Sequence, residues 1–163
     1  MSWPPRASAS QRSWTISLPP EIVADANVVL SALIGGRARL IIASPHGPSC
    51  VSTQAVAEEI ARHLPGLAAK RGLDEAQLLA ALQVMPIRWK PTADYQDQRE
   101  EAEKRIAERD PDDWPTVALA LKLDLPVWSQ DKDITVAGLE VFTTGDLLNA
   151  LSSIAPEEQS DTA

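Results

Sequence analysis

Ile22-Val23-Ala24-Asp25-Ala26-Asn27-Val28-Val29-Leu30 sets an apolar triplet, a carboxylate and a second apolar segment side by side. The triplet reads as a short buried strand. Residues 27–33 read as a helix, ended by Gly35-Gly36. Asp25 falls where the strand gives way to the helix. At that position it fits either a helix cap or a ligand at the mouth of a crevice.

The same alternation recurs outward from this stretch. Residues 37–43 predict a second short helix, and Pro45-His46-Gly47-Pro48 a turn. Residues 49–52 are strand-like and run into a helix over 53–64, which Pro65-Gly66 should break. Asp74 caps a helix through Val84, with Gln77 in capping-box position. Further strands are expected at 87–89, 126–129 and 141–142, and an edge strand at 14–18. Further helices are expected at 94–108, 114–122 and 144–151, the first highly charged and the last capped by Thr144. Strands alternating with helices predict an α/β fold with a mainly parallel sheet and helices on both faces.

The chain has 163 residues and a formal net charge of −8. That length suits one domain with a sizeable core. The charge argues against a protein that holds nucleic acid by overall charge alone. Cys50 is the only cysteine, so no internal disulfide forms, and a reducing, cytoplasmic compartment is expected. No apolar run is long enough to span a bilayer, and no signal-peptide core is visible at the N-terminus. Residues 1–20 read as a flexible extension, 21–152 as the folded domain and 153–163 as an acidic flexible tail.

Four groups of carboxylates stand out: Asp25; Glu59; Asp110, Asp112 and Asp113; and Asp131 and Asp133. Three of the four fall at strand ends or helix starts, where an α/β fold builds its crevice. Each has an ordinary reading. Asp25 and Asp113 suit helix caps, and Asp131-Lys132-Asp133 suits a turn. Glu59 suits a solvated helix face. On the wheel of its helix, Glu59 flanks the apolar face near His63, while Glu58 points into water. Capping accounts for one aspartate near the start of the 114–122 helix but not for three. Gathered carboxylates repel one another unless a cation lies between them, and oxygen ligands suit Mg2+ or Mn2+.

With these residues in place, the chain resembles the PIN-domain family, in particular bacterial toxins of the VapC-like class. The matching motifs begin with Val23-Ala24-Asp25-Ala26-Asn27 and with Val56-Ala57-Glu58-Glu59-Ile60. They continue through Arg109-Asp110-Pro111-Asp112-Asp113-Trp114-Pro115 and Val127-Trp128-Ser129-Gln130-Asp131-Lys132-Asp133. The resemblance covers residues 22–151 and implies a Rossmann-like three-layer α/β/α sandwich. Carried over by position, it implies metal-binding catalytic acids at Asp25, Glu59, Asp113 and Asp131. Asp133 joins them as a further metal ligand, and Asn27, Asp110 and Ser129 as supporting groups. Two departures stand out: Ile134 replaces a common aromatic, and Trp114 replaces a smaller residue and could narrow the substrate groove. The implied activity is metal-dependent endoribonuclease, the toxin of a toxin–antitoxin pair. Its partners would be RNA, a cognate antitoxin and a second copy of the chain.

Arg37, Arg39 and Arg62 are candidates for phosphate contact and Trp114 for stacking on a base. Ordinary solubility explains the arginines equally well, and core packing the tryptophan. Two other functions compete. A binding module for RNA or protein would keep the fold but has no need to tolerate so many acids. An aspartyl-phosphate phosphatase would use Asp25 as nucleophile, but Asn27 stands where its second aspartate is expected.

Overall fold

The computed structural model describes residues 17–106, 110–130, 134 and 137–162, with side chains described up to residue 154. Five strands form one sheet in the order β3-β2-β1-β4-β5, every neighbouring pair parallel. They are β1 (Glu21–Ala24), β2 (Ser49–Thr53), β3 (Ile87–Lys90), β4 (Val127–Trp128) and β5 (Val141–Phe142). Among the described residues these helices connect and cover them: α1 (Ala26–Leu33), α2 (Ala38–Ala43), α3 (Gln54–Arg71), α4 (Glu75–Val84), α5 (Arg99–Arg105), α6 (Trp114–Leu123) and α7 (Thr144–Thr162).

Strand β1 shows why the sheet lies between two helical layers. Successive side chains of a strand point to opposite faces. Ile22 and Ala24 accordingly join the apolar cluster under α1 to α4 and α7, while Val23 joins the cluster under α5 and α6. Trp128 is 0 % exposed, and its indole N–H donates to the Thr144 hydroxyl at 3.0 Å, so its one polar atom is satisfied. The result is the expected three-layer α/β/α sandwich.

Several local expectations fail for identifiable reasons. Pro65 and Gly66 do not end α3, which runs on to Arg71 and closes at Gly72 with φ +66°. Val56, Ile60, Leu64 and Ala68 are all buried, so the four-residue apolar repeat carries the helix past an exposed Pro-Gly pair. The charged segment 94–108 is not one helix. It forms two single 3-10 turns, Thr92–Asp94 and Gln96–Gln98, before α5 starts. Tyr95 lies between those turns at 0 % exposure, and anchoring its ring interrupts the regular helix.

Thr143 rather than Thr144 caps α7. Its hydroxyl accepts from Asp146 N–H at 3.1 Å, and Asp146 accepts from Thr143 N–H at 2.9 Å. The helix then continues to Thr162, beyond the expected end at 151 and through most of the segment read as a tail. Once a helix is started, each further residue adds one hydrogen bond. Of the expected edge strand at 14–18, residues 14–16 lie outside the described residues, and 17 and 18 are irregular. Among the described residues, no helix is long and apolar enough to cross a membrane.

Candidate functional site

In the strand order, β2 lies on one side of β1 and β4 on the other, so the chain changes direction across the sheet there. A crevice forms outside the carboxyl ends of strands at such a point. Asp25 follows β1 and Ser129 follows β4, and the register Ala24↔Trp128 sets them abreast. Asp25 N–H donates to Trp128 C=O at 3.2 Å, continuing the ladder.

The Asp25 carboxylate is 7 % exposed and held on both oxygens. Oδ1 accepts from Val28 N–H at 2.9 Å, which makes Asp25 the N-cap of α1. Oδ2 accepts from the Ser129 hydroxyl, itself buried. The capping reading of Asp25 is therefore realised, and it fixes the orientation of the carboxylate.

Beside Asp25 opens a cleft of about 570 Å³. Its floor is Ala26 and Asn27. One wall is the first half of α3, with Glu58, Glu59, Arg62 and His63; the other is the turn with Asp110, Asp112 and Asp113, followed by Pro115 and Thr116. Two sequence elements far apart thus bring Glu59, Asp110 and Asp113 to one cleft, which Asn27 also lines. Glu58, read as facing water, lines the same cleft. Both glutamates are exposed, and the cleft is wide enough to receive the pair. The i,i+4 spacing of Glu58 to Arg62 and Glu59 to His63 was the available signal for that shared face.

The capping role near α6 also moves. Asp110, not Asp113, caps: its Oδ1 accepts from Asp112 N–H at 3.0 Å and starts the 3-10 turn Pro111–Asp113. Asp113 occupies the N-cap position of α6 in a helical conformation, with no capping bond from its side chain. The Asp110 bond starts the turn one step earlier, so Asp113 faces the cleft instead of the helix end.

Other candidates lie elsewhere. Arg39 lines a separate apolar groove of about 200 Å³ with Ala32, Leu33, Ile42, Val84 and Met85. Arg37 precedes α2, exposed and away from the cleft lining. Trp114 turns away from the cleft: its ring lies 5.7 Å from that of Tyr95, and the Arg99 guanidinium sits 4.4 Å above it. A ring covered in this way is packing, not an open platform for a base, and it does not narrow the groove. Asp131 and Asp133 lie outside the described residues.

Every acid of the cleft and its edge offers oxygen, the donor that Mg2+ and Mn2+ prefer, and the free thiol of Cys50 is buried in the core. The donor chemistry thus fits a hard divalent cation. Among the described residues, no three His, Cys, Asp or Glu side chains approach closely enough to hold one.

No curated protein matches the chain. The solved structure of FitAcB from Neisseria gonorrhoeae is similar at 19 % identity and a TM-score of 0.49, over 77 % of this chain and 99 % of that one. The PIN-domain family model matches residues 23–152, from β1 into α7, and so takes in the crevice and every wall of the cleft. The chain belongs to the PIN-domain family.

Proposed function

We propose that this protein is a metal-dependent endoribonuclease, the toxin of a toxin–antitoxin pair. PIN domains are generally nucleases. The observation that carries the reading is the cleft itself, which Asn27, Glu59 on α3, and Asp110 and Asp113 at the start of α6 line together. Acids from separate elements that line one open cleft offer oxygen ligands to a divalent cation.

In this reading Asp25, Glu59, Asp113 and Asp131 hold Mg2+ or Mn2+, with Asp133 as a further ligand. A bound divalent cation lowers the pKa of a water and stabilises charge on the oxygens of a phosphodiester. The chain's own residues orient. Val28 N–H and the Ser129 hydroxyl hold the Asp25 carboxylate, and the Asp110 cap aims Asp113 into the cleft. No protein nucleophile is needed. A cytoplasmic antitoxin with a basic segment suits the acidic cleft. A second copy of the chain suits the apolar groove, where Val84 is 79 % exposed.

The test is cleavage of RNA with and without Mn2+, for the wild type and for Asp113→Asn. Asparagine keeps the size and removes the charge. The expected result is Mn2+-dependent cleavage, abolished by EDTA and lowered at least a hundredfold by the substitution, with an unchanged circular dichroism spectrum. A folded wild type that binds RNA without cleaving it would replace this reading with the binding-module one.

A further inference from the structure

We propose that Arg62 and His63 form a phosphate-contact subsite that grips the polynucleotide beside the scissile position. The proposal rests on the nuclease reading and adds the protein's own grip on its substrate.

Helix α3 carries two stripes. Val56, Ile60, Leu64 and Ala68 are buried. Ala55, Glu58, Glu59, Arg62 and His63 line the cleft. Arg62 and His63 follow the two glutamates by one turn, a rise of about 6 Å along the helix axis. They are the only Arg, Lys or His side chains among the described residues lining this cleft.

Among the described residues, neither side chain is in an ion pair. On α5, Arg105 pairs with Glu101 at 2.9 Å and Arg99 with Glu103 at 3.0 Å, both at i,i+4 spacing. On α3, Glu58 to Arg62 and Glu59 to His63 have the same spacing, yet no ion pair or hydrogen bond forms among the described residues. The basic side chains are left available on a wall that faces Asp110, Asp112 and Asp113.

A polynucleotide entering this cleft brings more negative charge to five lining carboxylates: Glu58, Glu59, Asp110, Asp112 and Asp113. A metal answers one phosphate. Its neighbours along the strand need donors fixed to the protein. A guanidinium offers five N–H groups and takes a phosphate by two of them, and the imidazole adds another donor. The substrate class is therefore a polynucleotide whose next phosphate reaches one turn along α3. Arg37 and Arg39 lie outside this cleft and take no part.

The experiment uses the full chain, a short single-stranded RNA for Mn2+-dependent cleavage and its 2′-O-methyl form for binding by fluorescence anisotropy. Both are measured against NaCl concentration. Arg62→Gln should raise KM and Kd about tenfold while kcat stays within twofold. The log–log salt slope should flatten by about 0.7, the value for one single-strand phosphate contact. Arg62→Lys should recover the slope, because it restores the charge. His63→Gln should weaken binding less, with kcat again held. Cleavage by the wild type together with an unaltered KM and slope in Arg62→Gln would overturn the subsite and leave the nuclease reading standing. A kcat loss without a KM change would also overturn it. A folded wild type that neither cleaves nor binds RNA would sink both.

Discussion

Replacing Asp25 by asparagine and, separately, by alanine tells a helix cap from a metal ligand. The carboxylate makes two described bonds, one to Val28 N–H at 2.9 Å and one from the Ser129 hydroxyl. Asparagine keeps an acceptor oxygen for Val28 and is as good an N-cap as aspartate. Its amide N–H₂ would face the Ser129 oxygen, and a hydroxyl accepts as readily as it donates. Stability should fall by less than about 1 kcal/mol. Alanine removes both bonds at a buried position. A lost cap costs about 1 kcal/mol and a lost side-chain bond about as much again. The loss of roughly 2 kcal/mol corresponds to a melting temperature lower by about 8 °C at roughly 4 °C per kcal/mol. Thermal melts followed by circular dichroism supply these values, and Mn2+-dependent RNA cleavage supplies the activity. If Asp25 binds metal, asparagine destroys cleavage at near-native stability. Cleavage at wild-type rate by a stable Asp25→Asn chain would refute the reasoning and leave Asp25 a cap alone.

Two further tests concern the core. Burial pushes the Cys50 thiol up to about 11 from an ordinary 9.0. The folded chain therefore keeps its proton where the unfolded chain loses it, so the Cys50 contribution is intact below pH 9 and lost between pH 9 and 11. Wild type should lose about 2–3 kcal/mol more than Cys50→Ala across that window in urea titrations, and equal losses would rule out the burial argument. The Tyr95 hydroxyl is buried, without a hydrogen-bond partner among the described residues. Tyr95→Phe should raise stability by about 1 kcal/mol, and a loss of similar size would reveal a partner for that hydroxyl.

The layout of the fold was readable because the strands of a buried parallel sheet are short apolar runs. Ile22-Val23-Ala24 and Val141-Phe142 have few other uses once helices flank them. What misled were signals decided by distant contacts. Pro65-Gly66 is a strong local stop, but a buried residue every four positions along α3 outweighs it. Thr143 and Thr144 are chemically alike, and Trp128 settles the choice by occupying the Thr144 hydroxyl. Asp110 and Asp113 compete for one cap, and Pro111 favours the earlier start. Trp114 could be seen as stacking or packing from sequence; only the presence of Arg99 over its ring decides. The wheel of α3 put Glu59 on the flank and Glu58 in water; both are exposed, and both also line the cleft.

The site divides its acids between fixed and exposed positions, and that division follows from topology. Asp25 stands where β1 meets α1, pinned by the helix it caps and by Ser129 from the neighbouring strand. Its orientation is set by folding alone. Glu58, Glu59, Asp110 and Asp112 are exposed, and none of their neighbours in the cleft forces them together. Bringing several carboxylates within bonding distance of one point without a cation would raise their mutual repulsion steeply, since the interaction grows as 1/r. An open cleft lowers that repulsion by keeping the acids apart and in water. In the nuclease reading, the cation's charge then supplies the energy to draw the exposed acids toward the pinned one.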